Sequence, residues 1–121
     1  MVETHGLTHI SLAVADPQRA LDFYVRVFGV KEYYRDEGQI QVQGPGRFDV
    51  LAFEKNEQKA GARAGIDHFG FRLKNAADID QAVDEVLNAG GKLLRRGEFS
   101  PGLPFAYVED PDGYEIEIWF E

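Results

Sequence analysis

Apolar residues recur along this chain with two periods, and the order of the periods repeats. In Leu7–Val14 (LTHISLAV), Thr8, Ile10, Leu12 and Val14 fall on one face and Leu7, His9, Ser11 and Ala13 on the other. That is the period of a β-strand. Asp16-Pro17 then opens a helix, with Asp as N-cap and Pro in the first helical position. Ala20, Leu21, Tyr24, Val27 and Phe28 form its apolar stripe, and Gly29 ends it. Three short strands are predicted next, over Val30–Arg35, Gln39–Gln43 and Phe48–Phe53, with turns at Gly38 and Gly44-Pro45-Gly46.

Lys55–Gly65 (KNEQKAGARAG) is small, polar and aperiodic, and reads as a linker. The pattern then restarts. Ile66–Leu73 (IDHFGFRL) sets Phe69, Phe71 and Leu73 against His68, Gly70 and Arg72. A helix is predicted from about Asp78 to Ala89, striped by Ile79, Ala82, Val83, Val86 and Leu87 and stopped by Gly90-Gly91. Predicted strands follow over Lys92–Arg96, Phe105–Glu109 and Tyr114–Phe120. Before the last one, Asp110-Pro111-Asp112-Gly113 forms a turn. Tyr114, Ile116, Ile118 and Phe120 make that strand's apolar face; Glu115, Glu117 and Trp119 make the other, with Glu115 expected in solvent. The anchors keep register: His9 to His68 and Asp16 to Asn75 are each 59 residues apart, and Gly29 to Gly90 is 61. The chain is therefore read as an internal repeat, two βαβββ modules over residues 5–57 and 64–121 of one domain, 1–121.

At 121 residues the chain can bury roughly two-thirds of its unfolded surface, enough for a stable core. A net charge of −8 disfavours a nucleic-acid surface. There is no cysteine, which removes disulfides, thiolate metal sites and cysteine nucleophiles. No signal peptide or membrane span is visible, so the expectation is a soluble, cytoplasmic protein without nucleic-acid or membrane partners.

A helix packed on a sheet takes the apolar face of the strands beneath it. His9 and His68 lie on the opposite faces of equivalent strands, and Glu117 on the opposite face of the last strand. If the sheets curl into a trough, these three line it as two histidines and a carboxylate, a ligand set that leaves positions open for water or substrate. His5, near the start, is read as incidental.

The stretches THISLAVADPQRALDFYVRVFGV, GIDHFGFRL and FAYVEDPDGYEIEIWF resemble the vicinal oxygen chelate superfamily, which includes glyoxalase I, fosfomycin-resistance proteins, bleomycin-resistance proteins and extradiol dioxygenases. The resemblance implies an α+β fold in which paired βαβββ modules form a cupped, partly open mixed sheet, usually in a homodimer. It assigns one divalent metal ion per site (Zn, Ni, Mn, Fe or Co) to His9, His68 and Glu117 rather than Glu115, with the ligands drawn from one chain or from two. Glyoxalase I adds a fourth ligand on the last strand of the first module. The centre of that strand is here Val50, Leu51 and Ala52, and Asp49 would serve only if the register shifted. Extradiol dioxygenases use further histidines, of which only His5 is left. Fosfomycin-type enzymes use three ligands, and their His-x-Thr strand is close to His9-Ile10-Ser11. Tyr107, ten residues before Glu117, matches a tyrosine of their pocket.

The resulting expectation is a metal-dependent enzyme, a lyase or transferase acting on a small oxygen-bearing substrate by thiol or water addition or by isomerisation. Tyr107 and Glu117 are its catalytic candidates, with Tyr107 donating to a developing oxyanion. Ser11, Arg95 and Arg96 are its substrate-binding candidates. The alternatives are a non-catalytic sequestering protein of the bleomycin-resistance type and an extradiol-type dioxygenase.

Overall fold

The computed structural model describes every residue except 2, 4, 6, 47 and 63, so Arg63 of the predicted linker lies outside the described residues. The chain divides into two compact units, Met1–Ala60 and Gly61–Glu121.

The first unit runs β1 (His9–Val14), α1 (Pro17–Phe28), β2 (Lys31–Arg35), β3 (Gln39–Gln43) and β4 (Val50–Lys55). Its four strands form one mixed sheet in the order β1-β4-β3-β2, with β1 and β4 parallel and the other pairs antiparallel. The Asp16 carboxylate accepts the Gln18 backbone N–H and Gly29 closes α1 in the left-handed conformation, both as the sequence indicates. The helix buries Ala20, Leu21, Phe23 and Tyr24. Leu12 and Val14 from β1, Ile40 and Val42 from β3, and Leu51 and Phe53 from β4 are buried as well. The Tyr24 and Phe53 rings lie 4.9 Å apart at the centre of this layer.

The second unit repeats the plan with β5 (Phe69–Arg72), a 3₁₀ turn (Ala76–Asp78), α2 (Ile79–Asn88), β6 (Lys92–Glu98), β7 (Pro104–Glu109) and β8 (Glu115–Trp119). Its sheet has the matching order β5-β8-β7-β6, again with the first and last strands parallel. Ile79, Val83 and Val86 of α2 are buried together with Ala106, Val108, Ile116 and Ile118 of the sheet. Leu87, expected in the stripe, is 49% exposed. Asp110 accepts the backbone N–H groups of Asp112 and Tyr114, and Gly113 adopts a φ of 95°. This is the tight Asx-type turn that the Asp-Pro-Asp-Gly sequence favours.

Two α-helices and two four-stranded mixed sheets make the fold α+β, built from two βαβββ modules as expected. Strand ends differ from the periodicity because a ladder runs only where a partner runs. Leu7 and Thr8 continue the alternation, yet β1 begins at His9, where pairing with Val50 begins. The predicted linker starts too early: β4 continues through Glu54 and Lys55, paired to Ala13 and Val14. Among the described residues no helix is long and apolar enough to cross a membrane.

Candidate functional site

In the second unit one row of residues crosses all four strands. The register sets Arg95 of β6 beside Tyr107 of β7, Tyr107 beside Glu117 of β8, and Glu117 beside Gly70 of β5. Cross-strand neighbours share a face, so their side chains can meet. Gly70 carries no side chain; a Cβ there would stand 3.2 Å from the Glu117 backbone oxygen and 3.3 Å from Trp119 Nε1. His68, two residues before Gly70, comes to the same face.

The contacts follow from that row. His68 Nε2 lies 3.3 Å from Glu117 Oε2. The other imidazole nitrogen, Nδ1, is 2.6 Å from the Asp67 carboxylate. The other Glu117 oxygen, Oε1, accepts the Tyr107 hydroxyl at 2.9 Å. The His68 and Tyr107 rings meet edge to face at 5.1 Å. The Arg95 guanidinium carbon is 3.8 Å from the centre of the Tyr107 ring, and Arg95 Nη1 is 3.3 Å from Glu115 Oε1. Desolvation first, and then the hydrogen bond to Glu117, hold the Tyr107 proton on above the ordinary phenol range.

Glu115 corrects an expectation. Read as a solvent-facing strand residue, it is only 9% exposed and carries an ion pair with Arg95. Alternation reports which face a residue is on, not whether that face is covered. Arg95 comes to Glu115 from a strand two ladders away, which no local pattern shows.

The first unit carries the other candidates. His9 Nδ1 lies 3.3 Å from Thr8 Oγ1. The imidazole lines a cavity of about 270 Å³ with Thr8, Tyr33, Gln41, Phe48, Val50 and Ala52. Tyr33 donates to Gln41 Oε1 at 2.6 Å within that lining. Ser11 donates to Glu54 Oε2 at 2.6 Å and borders a wider cleft with Asp36, Gln39, Lys55 and Lys59. Arg96 bonds Asp80 at the start of α2, whereas its neighbour Arg95 meets Tyr107. The structure thus brings His68, Tyr107, Glu117 and Arg95 into one cluster, with His9 and Ser11 together on β1. Asp67, Tyr33 and Gln41 were not among the candidate residues of the sequence reading, and Glu115 was read only as a solvent-facing strand residue. Asp67 could have been found as the acid next to a candidate ligand histidine.

The repeat locates the counterpart of Glu117. In the second unit the residue two after the histidine, Gly70, pairs with Glu117; in the first, Ser11 pairs with Ala52. Ala52 offers no donor atom. Asp49, the other candidate for a fourth ligand, precedes β4, and its carboxylate accepts the Gly46 N–H at 2.8 Å.

The donor chemistry of the second unit fits a divalent ion. Two donors about 2.1 Å from one ion and roughly at right angles stand about 3 Å apart, close to the His68–Glu117 spacing of 3.3 Å. Metal-ligating histidines and carboxylates are commonly held from behind by a second group, here Asp67 and Tyr107. Among the described residues no group of three His, Asp or Glu donors is assembled.

Comparison with known proteins gives a consistent assignment. The family model for the glyoxalase/bleomycin resistance protein/dioxygenase superfamily matches residues 6–118. A lactoylglutathione lyase of Escherichia coli O157:H7 is 31% identical over 93% of this chain and 90% of its own length. One from Neisseria meningitidis serogroup B is 32% identical over 93% and 88%. Among solved structures, the fosfomycin resistance protein FosX from Mesorhizobium loti superposes with a TM-score of 0.80 at 20% identity, covering 98% of this chain and 94% of that one. A glyoxalase-related enzyme from Fulvimarina pelagi gives 0.77 at 24% identity, covering 98% and 89%. With its paired βαβββ modules and a family match over nearly its whole length, the chain belongs to the glyoxalase/bleomycin resistance protein/dioxygenase, or vicinal oxygen chelate, superfamily.

Proposed function

We propose that this chain is a divalent-metal enzyme that holds one ion with His9, His68 and Glu117 and acts on a small oxygen-bearing substrate. The observation that carries the reading is the His68–Glu117 pair: two donor atoms 3.3 Å apart, each with its remaining polar atom engaged by Asp67 or Tyr107. His9 occupies the equivalent repeat position in the first module. On this reading modules 5–57 and 64–121 work as one domain, and the protein is a homodimer in which the ion's ligands come from one chain or from two.

When bound, the ion acts as a Lewis acid on a substrate oxygen. The chain's own residues do the rest. Glu117 would offset part of the ion's charge. Tyr107 keeps its proton and donates a hydrogen bond through it to Glu117 in the free protein, and that donor is at hand for a substrate oxygen on which charge develops. The cavity beside His9 positions the substrate between an apolar wall of Phe48, Val50 and Ala52 and the uncharged polar groups of Thr8, Tyr33 and Gln41. Ser11, held by Glu54, and the arginines of β6 are the remaining groups through which a substrate can be oriented.

Similarity to the lactoylglutathione lyases supports lyase or isomerase chemistry. Ala52, at the place corresponding to Glu117, supports a three-ligand site of the kind that also serves addition of a thiol or water. Titration of the purified chain with Mn²⁺, Co²⁺, Ni²⁺ and Zn²⁺, with turnover assayed on 2-oxoaldehyde–thiol adducts and on epoxides, separates these. Metal-dependent turnover of either class supports the enzyme. Tight metal uptake with no turnover of either favours sequestration, and no uptake removes the reading.

A further inference from the structure

The cluster around Glu117 extends one group further than a ligand set requires. Glu117 uses its two oxygens differently: Oε2 faces His68, and Oε1 is taken by the Tyr107 hydroxyl at 2.9 Å. Tyr107 is itself gripped. The Arg95 guanidinium lies 3.8 Å from its ring centre, Phe105 meets it edge-on at 5.7 Å, and His68 meets it edge-on at 5.1 Å. Arg95 is anchored by Glu115, a carboxylate only 9% exposed. A buried carboxylate is costly to leave unpaired, so it ties the otherwise mobile guanidinium to one place. A planar guanidinium over an aromatic face fixes the tilt of the ring beneath it, and here the tilt decides where the phenol oxygen points.

We infer that Arg95, held by Glu115, is a positioning residue for the metal centre: it sets the Tyr107 hydroxyl against Oε1 of Glu117, so that the carboxylate presents a single oxygen to the ion. The inference rests on the ligand assignment above and adds a reason for the site's openness. A carboxylate free to rotate can give both oxygens to one ion and close a position that substrate needs. Tyr107, kept in place by Arg95, withholds one of them.

Co²⁺ is a suitable probe because its visible absorption reports coordination geometry. The full chain is loaded with Co²⁺ as wild type, Arg95→Met, Arg95→Lys, Tyr107→Phe and the Arg95→Met/Tyr107→Phe double variant. The Co²⁺ Kd and visible spectrum are measured for each, and thermal melts of the metal-free proteins check folding. Arg95→Met is expected to weaken Co²⁺ by about tenfold, the low end for loss of a group behind a metal ligand. It is expected to lower the visible absorption in the same sense as Tyr107→Phe, as a second carboxylate oxygen joins the ion. The double variant should match Tyr107→Phe alone, because both changes act through one hydrogen bond. Arg95→Lys, which keeps the charge for Glu115, should recover part of the effect. If Arg95→Met fails to fold, Arg95→Met/Glu115→Gln, which leaves no buried charge unpaired, takes its place with the same expectation. An unchanged spectrum and Kd in the folded Arg95 variant overturn the inference, as do effects of Arg95→Met and Tyr107→Phe that simply add. A wild-type chain that takes up no Co²⁺ overturns the ligand assignment instead, and the inference with it.

Discussion

Each oxygen of Glu117 has a partner of a different kind, an imidazole on one side and a phenol on the other. His9, His68 and Glu117 could be picked out from alternation and repeat spacing because each falls on a face that the helix leaves uncovered, whereas Tyr107 was legible only through the family resemblance. Glu115 could not be picked out, since Glu115 and Glu117 share that face and only their contacts tell them apart, Arg95 for the one and His68 and Tyr107 for the other. Packing residues were legible for a simpler reason: an apolar residue on the helix side of a central strand has nowhere else to go. Phe53, fully buried against Tyr24, should cost about 3–5 kcal/mol when changed to Ala. Urea unfolding measures this, and a loss below about 1 kcal/mol would mean that the ring is not central to the core.

Helix ends were legible because their signals are local. Asp16 and Gly29 bound α1 through their own backbone contacts, and Asp16→Ala should cost about 1 kcal/mol in an unfolding experiment. Strand ends were legible where a turn signal stood beside them, as for β3 (Gln39–Gln43), but not at the start of β1 or at either end of β4, where the ladder runs only as far as its partner. The turn between β2 and β3 makes a second prediction at this scale. Asp36 accepts the backbone N–H groups of Gly38 and Gln39 and the Tyr34 hydroxyl. The Gly38 hydrogen bond is the largest influence holding its carboxyl below the ordinary carboxylate range. A depressed folded value means that the ionised form is preferred in the folded state. The stabilisation is present above the ordinary value and is lost as pH falls through the depressed one. The urea midpoint of the wild type should therefore fall below roughly pH 4 more steeply than that of Asp36→Asn. Parallel acid limbs would show that the turn is indifferent to the charge.

At the scale of the whole molecule, the repeat was legible because two copies of one pattern keep their spacing over 59 residues, which chance alternation does not do. The family followed from the same stretches. The substrate did not, since alternation tells which face Gln41 is on but not that it meets Tyr33 in the lining of the cavity beside His9. The metal-enzyme reading includes a homodimer, for which sedimentation velocity at micromolar concentration should give a mass near twice that of the chain; a monomer would remove a shared site from consideration. The rest of the mechanism depends on binding of the ion. Equilibrium titration of Co²⁺ into the wild type, His9→Ala, His68→Ala and Glu117→Gln, with melts of each metal-free protein as a folding control, tests it directly. One equivalent per wild-type chain is expected, with a loss of at least about 100-fold in affinity for each variant, since each removes one of three protein donors. Wild-type affinity in His9→Ala together with loss in the other two would contradict it, because the two modules would then not contribute to one site.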